Sequence, residues 1–249
     1  MQVRLITVAP ASRARCSVHG ATGATAEGDG DQRPHLVETD RAPEPYWQQH
    51  ALAVARFLEW DARKSLPVVL VGHSGAGPLL PCIAEAVNRP VVGLVFVDSG
   101  IPKAGASRLD LLADETGPEL ADKLRAFLES GRGYPVWRDA ELANLIPDAR
   151  TRQEVLEEVK AHPLAFWDEP LHVPEGWLTV PCGYLRLSEG YSVPAREAQR
   201  RGWPYRELDE GHFHMVVDPE VVASELIELL TLMGLGNQRT AASGNRMAN

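Results

Sequence analysis

The feature that most constrains this chain is a short apolar run, Pro67 to Val71, that ends in Gly72-His73-Ser74-Gly75-Ala76 and passes into a helical pattern. A strand, a sharp turn carrying a serine and a helix are the parts of a nucleophile elbow. A serine on so tight a turn has a strained backbone, and glycine neighbours let the chain pass close to it. The pattern therefore predicts that Ser74 stands exposed at the carboxyl end of a buried strand.

The helix predicted after the turn, at about 77–88, would direct its amino terminus towards the serine. Unpaired N–H groups and the positive end of the helix dipole stabilise negative charge there, which favours acyl transfer. Gly75 N–H is the expected first oxyanion donor, and the loop after the first strand, which begins at Ala9 and Pro10, is the expected source of the second. Since proline has no N–H, Ala9 or Ala11 would have to supply it. A glycine-rich turn with an idle serine is the alternative.

Composition narrows the class of protein. The chain has 249 residues, of which 44% are hydrophobic, enough for one core that carries a substantial insertion. A net charge of −9 argues against nucleic acid or an anionic membrane as partner. The 3 cysteines form no C-x-x-C pair, which suggests neither a disulfide framework nor a zinc site. The first residues lack the apolar core of a signal peptide, so we expect a cytoplasmic protein.

Strand and helix patterns alternate along the first part of the chain. Strand patterns lie at 3–8, 36–38, 68–71 and 91–97, and helical patterns at 46–60 and 79–87. Such alternation predicts an α/β fold with a doubly wound, mostly parallel sheet.

A second region shows helical patterns without a convincing strand between them. It runs from 103 to 170 and predicts an inserted helical cap. The expected organisation is therefore a core made of 1–102 and 171–233, a cap made of 103–170, and a polar tail, 234–249, whose composition predicts disorder. The segment 11–33 lacks the amphipathic helix that a crossover between two parallel strands needs.

A serine nucleophile needs a base, and two histidines are candidates. His212 follows a predicted strand at 205–208 and precedes the last helix, and the chain order serine then histidine suits this fold. His214 lies two residues on and is the alternative. We prefer His212 because Gly211 gives its loop freedom to bring the ring over the serine. His73, inside the elbow, is expected to pack or line the site.

The imidazole in turn needs a carboxylate that holds its tautomer. Glu189 follows the predicted strand at 182–187, and Asp98 ends the strand at 91–97, so both would stand at the carboxyl edge of the sheet. The sequence slightly favours Glu189 over Asp98. Asp209 and Asp218 are lesser alternatives.

Taken together, residues 34–233 resemble the α/β-hydrolase superfamily. The resemblance lies in the elbow at 72–77, the strand ending in Asp98, the helical insertion, and Gly211-His212 followed by Asp218-Pro219 and a terminal helix. In that family the histidine typically precedes an Asp-Pro by six residues, which here identifies His212. The family also usually has a Gly-x-x-Asp turn after the strand that precedes Glu189, where this chain has glutamate.

The resemblance implies a small serine esterase or a related hydrolase that uses no metal and no organic cofactor, with a small molecule as substrate. Aromatic residues of the cap, among them Trp137 and Trp167, are candidate walls of an apolar pocket, and the alternative is that they form the core of the cap. Two other functions stay open: a lyase or C–C bond cleavage on the same fold, and a ligand-binding protein that has lost turnover.

Overall fold

The structure is a computed structural model that describes residues 4–8, 45–61 and 65–236. The strand predicted at 36–38, the loop at Ala9 and Pro10, the segment 11–33 and the tail beyond residue 236 lie outside the described residues.

Five described strands form one parallel sheet in chain order: β1 (Arg4–Val8), β2 (Val68–His73), β3 (Val91–Val97), β4 (Cys182–Arg186) and β5 (Tyr205–Glu207). Strands of a parallel sheet are covered on both faces, so they are apolar throughout rather than alternating. β2 shows this, since all six of its residues are buried. The expected α/β fold with a mostly parallel sheet is confirmed.

Helices cover both faces of this sheet. One face packs against α1 (Tyr46–Trp60), α2 (Leu80–Ala86) and a later helix, α8 (Ser192–Arg200). The other face packs against the last helix, α10 (Pro219–Leu232). Side chains of each strand alternate between the two layers, as the pleat requires: Leu70 and Phe96 belong to the first, Val71 and Val97 to the second.

The chain leaves the sheet after β3 and returns at β4, and five helices lie between. They are α3 (Arg108–Thr116), α4 (Pro118–Glu129), α5 (Asp139–Leu142), α6 (Ala149–Glu158) and α7 (Leu164–Asp168). The predicted insertion of helices is confirmed, with α7 added to those the sequence indicated, while the boundaries 103–170 stay a prediction. Within the described ranges, no helix is both long and apolar enough to cross a membrane.

One buried carboxylate ties the inserted helices to the first helix of the core. Glu169 lies 3.3 Å from Arg108 at the start of α3, and the two side chains are 12% and 5% exposed. The same carboxylate accepts the backbone N–H groups of Tyr46 and Trp47 at 2.9 and 2.8 Å. Pro45 gives α1 no side-chain cap, so Glu169 satisfies these N–H groups from the other end of the insertion.

Candidate active site

The elbow forms as predicted at the end of β2. Ser74 has φ 54, a left-handed conformation that a residue with a side chain seldom adopts. A Cβ on Gly72 would lie 2.8 Å from the Cα of Gly77, and a Cβ on Gly77 would overlap the hydroxyl of Ser99. The backbone therefore packs closely at Gly72 and Gly77, where a side chain would not fit. This close packing positions Ser74 at the carboxyl edge of the sheet.

The helix after the serine differs from the one predicted. The chain first makes a 3-10 turn, Ser74–Leu79, and the α-helix begins only at Leu80. Pro78 lies inside the 3-10 turn, where it has no N–H to donate to the backbone of the turn. The fifth residue of the elbow is Ala76, which is 2% exposed. Gly75 is exposed, and nothing lies within 4 Å of the position that a Cβ on it would take.

Three side chains from different elements meet at this edge. His212 Nε2 lies 3.0 Å from Ser74 Oγ, and His212 Nδ1 lies 2.8 Å from Asp98 Oδ2. A carboxylate only accepts, so Nδ1 carries the ring proton and Nε2 is left to accept the proton of the serine hydroxyl. This is the arrangement in which a histidine acts as base towards a serine.

Asp98 directly follows β3 and is fully buried. Its Oδ1 accepts the N–H groups of Leu187 and Ser188 at 2.8 and 2.9 Å, and its Oδ2 accepts the Ser188 hydroxyl at 2.6 Å. Burial alone would raise the pKa of this carboxyl, but the hydrogen bonds from His212, Ser188 and Leu187 outweigh burial and hold the pKa below its usual value. Asp98 is therefore an ionised carboxylate beside the imidazole.

The sequence preference for Glu189 needs correction. The Glu189 side chain is 84% exposed, and its carboxylate lies 3.4 Å from Arg186 Nη1 rather than against His212. The turn after β4 brings N–H donors to the site at Leu187 and Ser188, and these hold a carboxylate that comes from β3. Both acids stand at the same edge of the sheet, but only Asp98 faces inwards.

The lesser acid alternatives have other partners. Asp209 is 79% exposed and lies 3.2 Å from Arg186. Asp218 accepts the Val221 N–H at 3.1 Å and so caps α10.

The other two histidines of the region have different positions. His214 begins a short helix, α9 (His214–Val217), and its N–H donates to the carbonyl of Gly211 at 2.9 Å. His73 is buried, and its Nε2–H donates to the carbonyl of His212 at 2.9 Å. Burial and the neighbouring His212 lower the pKa of His73 to about 3. His73 is thus a neutral imidazole that bonds the backbone of His212.

Sequence reasoning missed Tyr191. Its hydroxyl lies 3.3 Å from Ser74 Oγ, and its ring stacks on His212 with centroids 5.1 Å apart and planes 11° apart. Burial raises the pKa of this phenol well above its usual value. One signal was available: counting a Gly-x-x-Asp turn from Ser188 places Tyr191, not Glu189, at the fourth position.

The two tryptophans proposed as pocket walls are placed differently. Trp137 is half-buried and packs edge-on against Phe213, with ring centroids 5.3 Å apart, beside the loop that carries His212. Trp167 donates its indole N–H to the carbonyl of Tyr134 at 3.2 Å and packs among aromatic residues of the inserted helices. The structure therefore puts Trp137 near the site and gives Trp167 the packing position that was its alternative.

The two described cysteines are buried, and the His, Cys, Asp and Glu side chains of the described residues are not grouped as metal ligands. Burial raises the pKa values of Cys82 and Cys182 to about 12, so both thiols stay protonated. Across residues 4–8, 45–61 and 65–236, no three or more His, Cys, Asp or Glu side chains are grouped to hold a metal ion.

Comparison with known proteins identifies the family to which this fold belongs. The sequence profile of the alpha/beta hydrolase family matches residues 6–225. A carbendazim hydrolyzing esterase from Nocardioides sp. (strain SG-4G) is 28% identical over 180 residues, which cover 68% of this chain and 74% of that protein. A pyrethroid hydrolase from Sphingobium faniae JZ-2 has a similar structure, with a TM-score of 0.60 and 17% identity over 92% of this chain and 98% of that one. Tomato methylketone synthase I, solved with 2-tridecanone, also has a similar structure. Its TM-score is 0.64, with 12% identity over 94% of this chain and 99% of that one. The chain belongs to the alpha/beta hydrolase family.

Proposed function

We propose that this protein is a serine hydrolase that cleaves a small carboxylic ester or a related acyl substrate through an acyl-enzyme. The observation that carries the proposal is the unbroken hydrogen-bond path from Asp98 through His212 to Ser74, with 2.8 and 3.0 Å between the paired atoms. Each member of the path has the proton that its role needs.

In the proposed reaction Ser74 Oγ attacks the acyl carbon while His212 Nε2 takes the serine proton. Negative charge then develops on the carbonyl oxygen, and we propose that the N–H of Gly75, an exposed residue near the start of the 3-10 turn, stabilises it. His212 returns the proton to the departing alcohol, and water repeats the sequence to release the acid. Asp98 stays ionised and stabilises the imidazolium.

The proposed substrate class is a small molecule with an apolar part. Phe213 and the half-buried Trp137 form an apolar wall beside the base. The relatives named as a carbendazim hydrolyzing esterase and a pyrethroid hydrolase support a hydrolytic reaction on a small substrate. We also propose a cytoplasmic location, because both described cysteines are free thiols.

Labelling with a fluorophosphonate probe tests the proposal, since the probe needs an activated serine and an oxyanion site together. We expect the purified protein to be labelled, and Ser74→Ala and His212→Ala to abolish labelling. His214→Ala and Glu189→Gln serve as matched controls and should be labelled like the parent protein. A folded parent protein that stays unlabelled would refute the proposal, and loss of labelling in His214→Ala alone would move the base to the other histidine.

A further inference from the structure

The hydroxyl of Tyr191 has a fixed direction for its proton. Asp98 accepts from His212 Nδ1, so His212 Nε2 accepts from Ser74, as the distances of 2.8 and 3.0 Å show. The hydroxyl of Ser74 then donates its proton in the hydrogen bond to His212 Nε2. The contact of 3.3 Å between Tyr191 and Ser74 Oγ can therefore be made in one way only, with the tyrosine as donor.

The tyrosine also lies on a defined side of the base. Its ring stacks on the imidazole of His212 with planes 11° apart, and its hydroxyl lies 3.3 Å from Ser74 Oγ, the same atom that His212 Nε2 contacts at 3.0 Å. Gly75 N–H, the donor for the carbonyl oxygen, is a backbone group of the 3-10 turn. The two donors belong to different elements, the turn after β2 and the turn after β4.

Elements outside the site support the turn that carries the Tyr191 ring. The Tyr191 residue ends a short 3-10 turn, Glu189–Tyr191, from which α8 continues directly. Helix α3 of the insertion packs against this same turn. Burial keeps the pKa of the phenol well above its usual value, so the hydroxyl keeps its proton near neutral pH and can donate it in a hydrogen bond.

We propose that Tyr191 is a catalytic residue that donates a hydrogen bond to the leaving-group oxygen of the substrate, on the basis of its contact with Ser74 Oγ and its stack on His212. This inference rests on the proposed serine hydrolase function. The leaving oxygen takes its proton from His212 Nε2, so it must come within hydrogen-bond reach of that atom. The hydroxyl of Tyr191 and His212 Nε2 both contact Ser74 Oγ, so the Tyr191 hydroxyl is the donor that we assign to the leaving oxygen.

The proposed reaction forms the bond to Ser74 first and then breaks the bond to the leaving oxygen. When a lone pair of Ser74 Oγ forms the bond to the acyl carbon, the serine proton moves to His212 Nε2 and the π electrons of the carbonyl move to its oxygen. In this tetrahedral intermediate Ser74 Oγ has shared one lone pair with carbon and is a weaker acceptor. The Tyr191 hydroxyl is then free to bond the leaving oxygen. As the bond from the acyl carbon to that oxygen breaks, the oxygen takes the electron pair and the proton of His212. Tyr191 gives no proton and is unchanged at the end.

A pair of acetate esters tests this role, because ethyl acetate and p-nitrophenyl acetate form the same acetyl-enzyme and differ only in the leaving group. Ethoxide is a poor leaving group that needs stabilisation, whereas nitrophenolate leaves readily without it. For Tyr191→Phe we expect kcat/KM with ethyl acetate to fall about ten- to a hundredfold, the usual effect of losing one hydrogen bond to a developing charge. With p-nitrophenyl acetate we expect a change of less than about threefold.

Tyr205→Phe is the matched control, since it removes a tyrosine hydroxyl that bonds Glu207 and Arg186 outside the site. It should change neither rate. Equal losses on both esters for Tyr191→Phe, or no loss on either, would overturn the leaving-group role. If Tyr191→Phe does not fold, Tyr191→Leu must show the same selective loss. A parent protein that neither hydrolyses p-nitrophenyl acetate nor reacts with a fluorophosphonate would instead count against the proposed function itself.

Discussion

A half-buried carboxyl on α3, that of Glu115, makes the stability of this protein depend on pH. Burial and the negative charge of Asp114 raise its pKa from 4.5 to about 7, with a smaller contribution from Asp98, while Lys103 acts in the opposite direction. The folded state therefore holds this proton more tightly than the unfolded chain does. The contribution of Glu115 to stability is therefore greatest below pH 4.5 and is lost as the pH rises through about 7.

The size of the effect follows from the two pKa values. One pKa unit corresponds to about 1.4 kcal/mol, so a shift from 4.5 to about 7 lowers the free energy of unfolding by about 3 kcal/mol at alkaline pH. Part of this loss is already present at pH 5, which leaves about 2.5 kcal/mol between pH 5 and pH 8.5. Solvent screening of the partly exposed side chain keeps the loss at or below this figure.

Urea unfolding of Glu115→Gln and of the parent protein at pH 5 and pH 8.5 measures this loss of unfolding free energy, because glutamine cannot ionise. We expect the variant to gain about 2 kcal/mol on the parent between pH 5 and pH 8.5. Glu119→Gln, an exposed neighbour on α4 that pairs with Lys123, is the control and should show no such gain. A difference between variant and parent that stays the same at both pH values would refute the reasoning.

Three further predictions concern other contacts. Asp98→Asn should lower kcat for ester hydrolysis about 10³- to 10⁴-fold, because an amide nitrogen in this position turns the imidazole to its wrong tautomer; a loss below tenfold would contradict it. Gly77→Ala should lower the free energy of unfolding in urea by about 1–3 kcal/mol, since its Cβ would overlap Ser99, and an unchanged midpoint would speak against the close packing. Glu169→Gln should cost about 1–3 kcal/mol by the same measurement, because the amide has no charge with which to bond Arg108 and the N–H groups of α1; an unchanged midpoint would contradict it.

The parts of the fold that the sequence predicted are those that local pattern determines. The run Val68 to Val71 is apolar because a central parallel strand is covered on both faces, and the glycines after it permit the turn that Ser74 needs. His212 was found in the same way, since its place after a strand and before the final helix is a matter of chain order.

The choice between Glu189 and Asp98 depended on a long-range contact that no local pattern reports. Both acids end a strand, and what separates them is that the N–H groups of Leu187 and Ser188 face Asp98 across the sheet. Tyr191 was missed for a related reason. Its spacing from Ser188 gave only its position in the turn, whereas the contact of its hydroxyl with Ser74 depends on how two turns far apart in the chain pack together.

The bonds around Asp98 also decide how the inserted helices relate to the chemistry. The chain leaves the sheet immediately after Asp98 and comes back through β4, and the two ends of this excursion are joined by the backbone bond from Asp98 N–H to the Leu185 carbonyl at 2.8 Å and by the donors of Leu187 and Ser188. The two ends of the insertion are thus held together by hydrogen bonds to Asp98. Because the entropy of closing a loop changes only slowly with its length, a change in the number of residues between these two ends costs little free energy by itself. The bonds at the two ends of the insertion, rather than its length, therefore set the position of the Asp98 carboxylate.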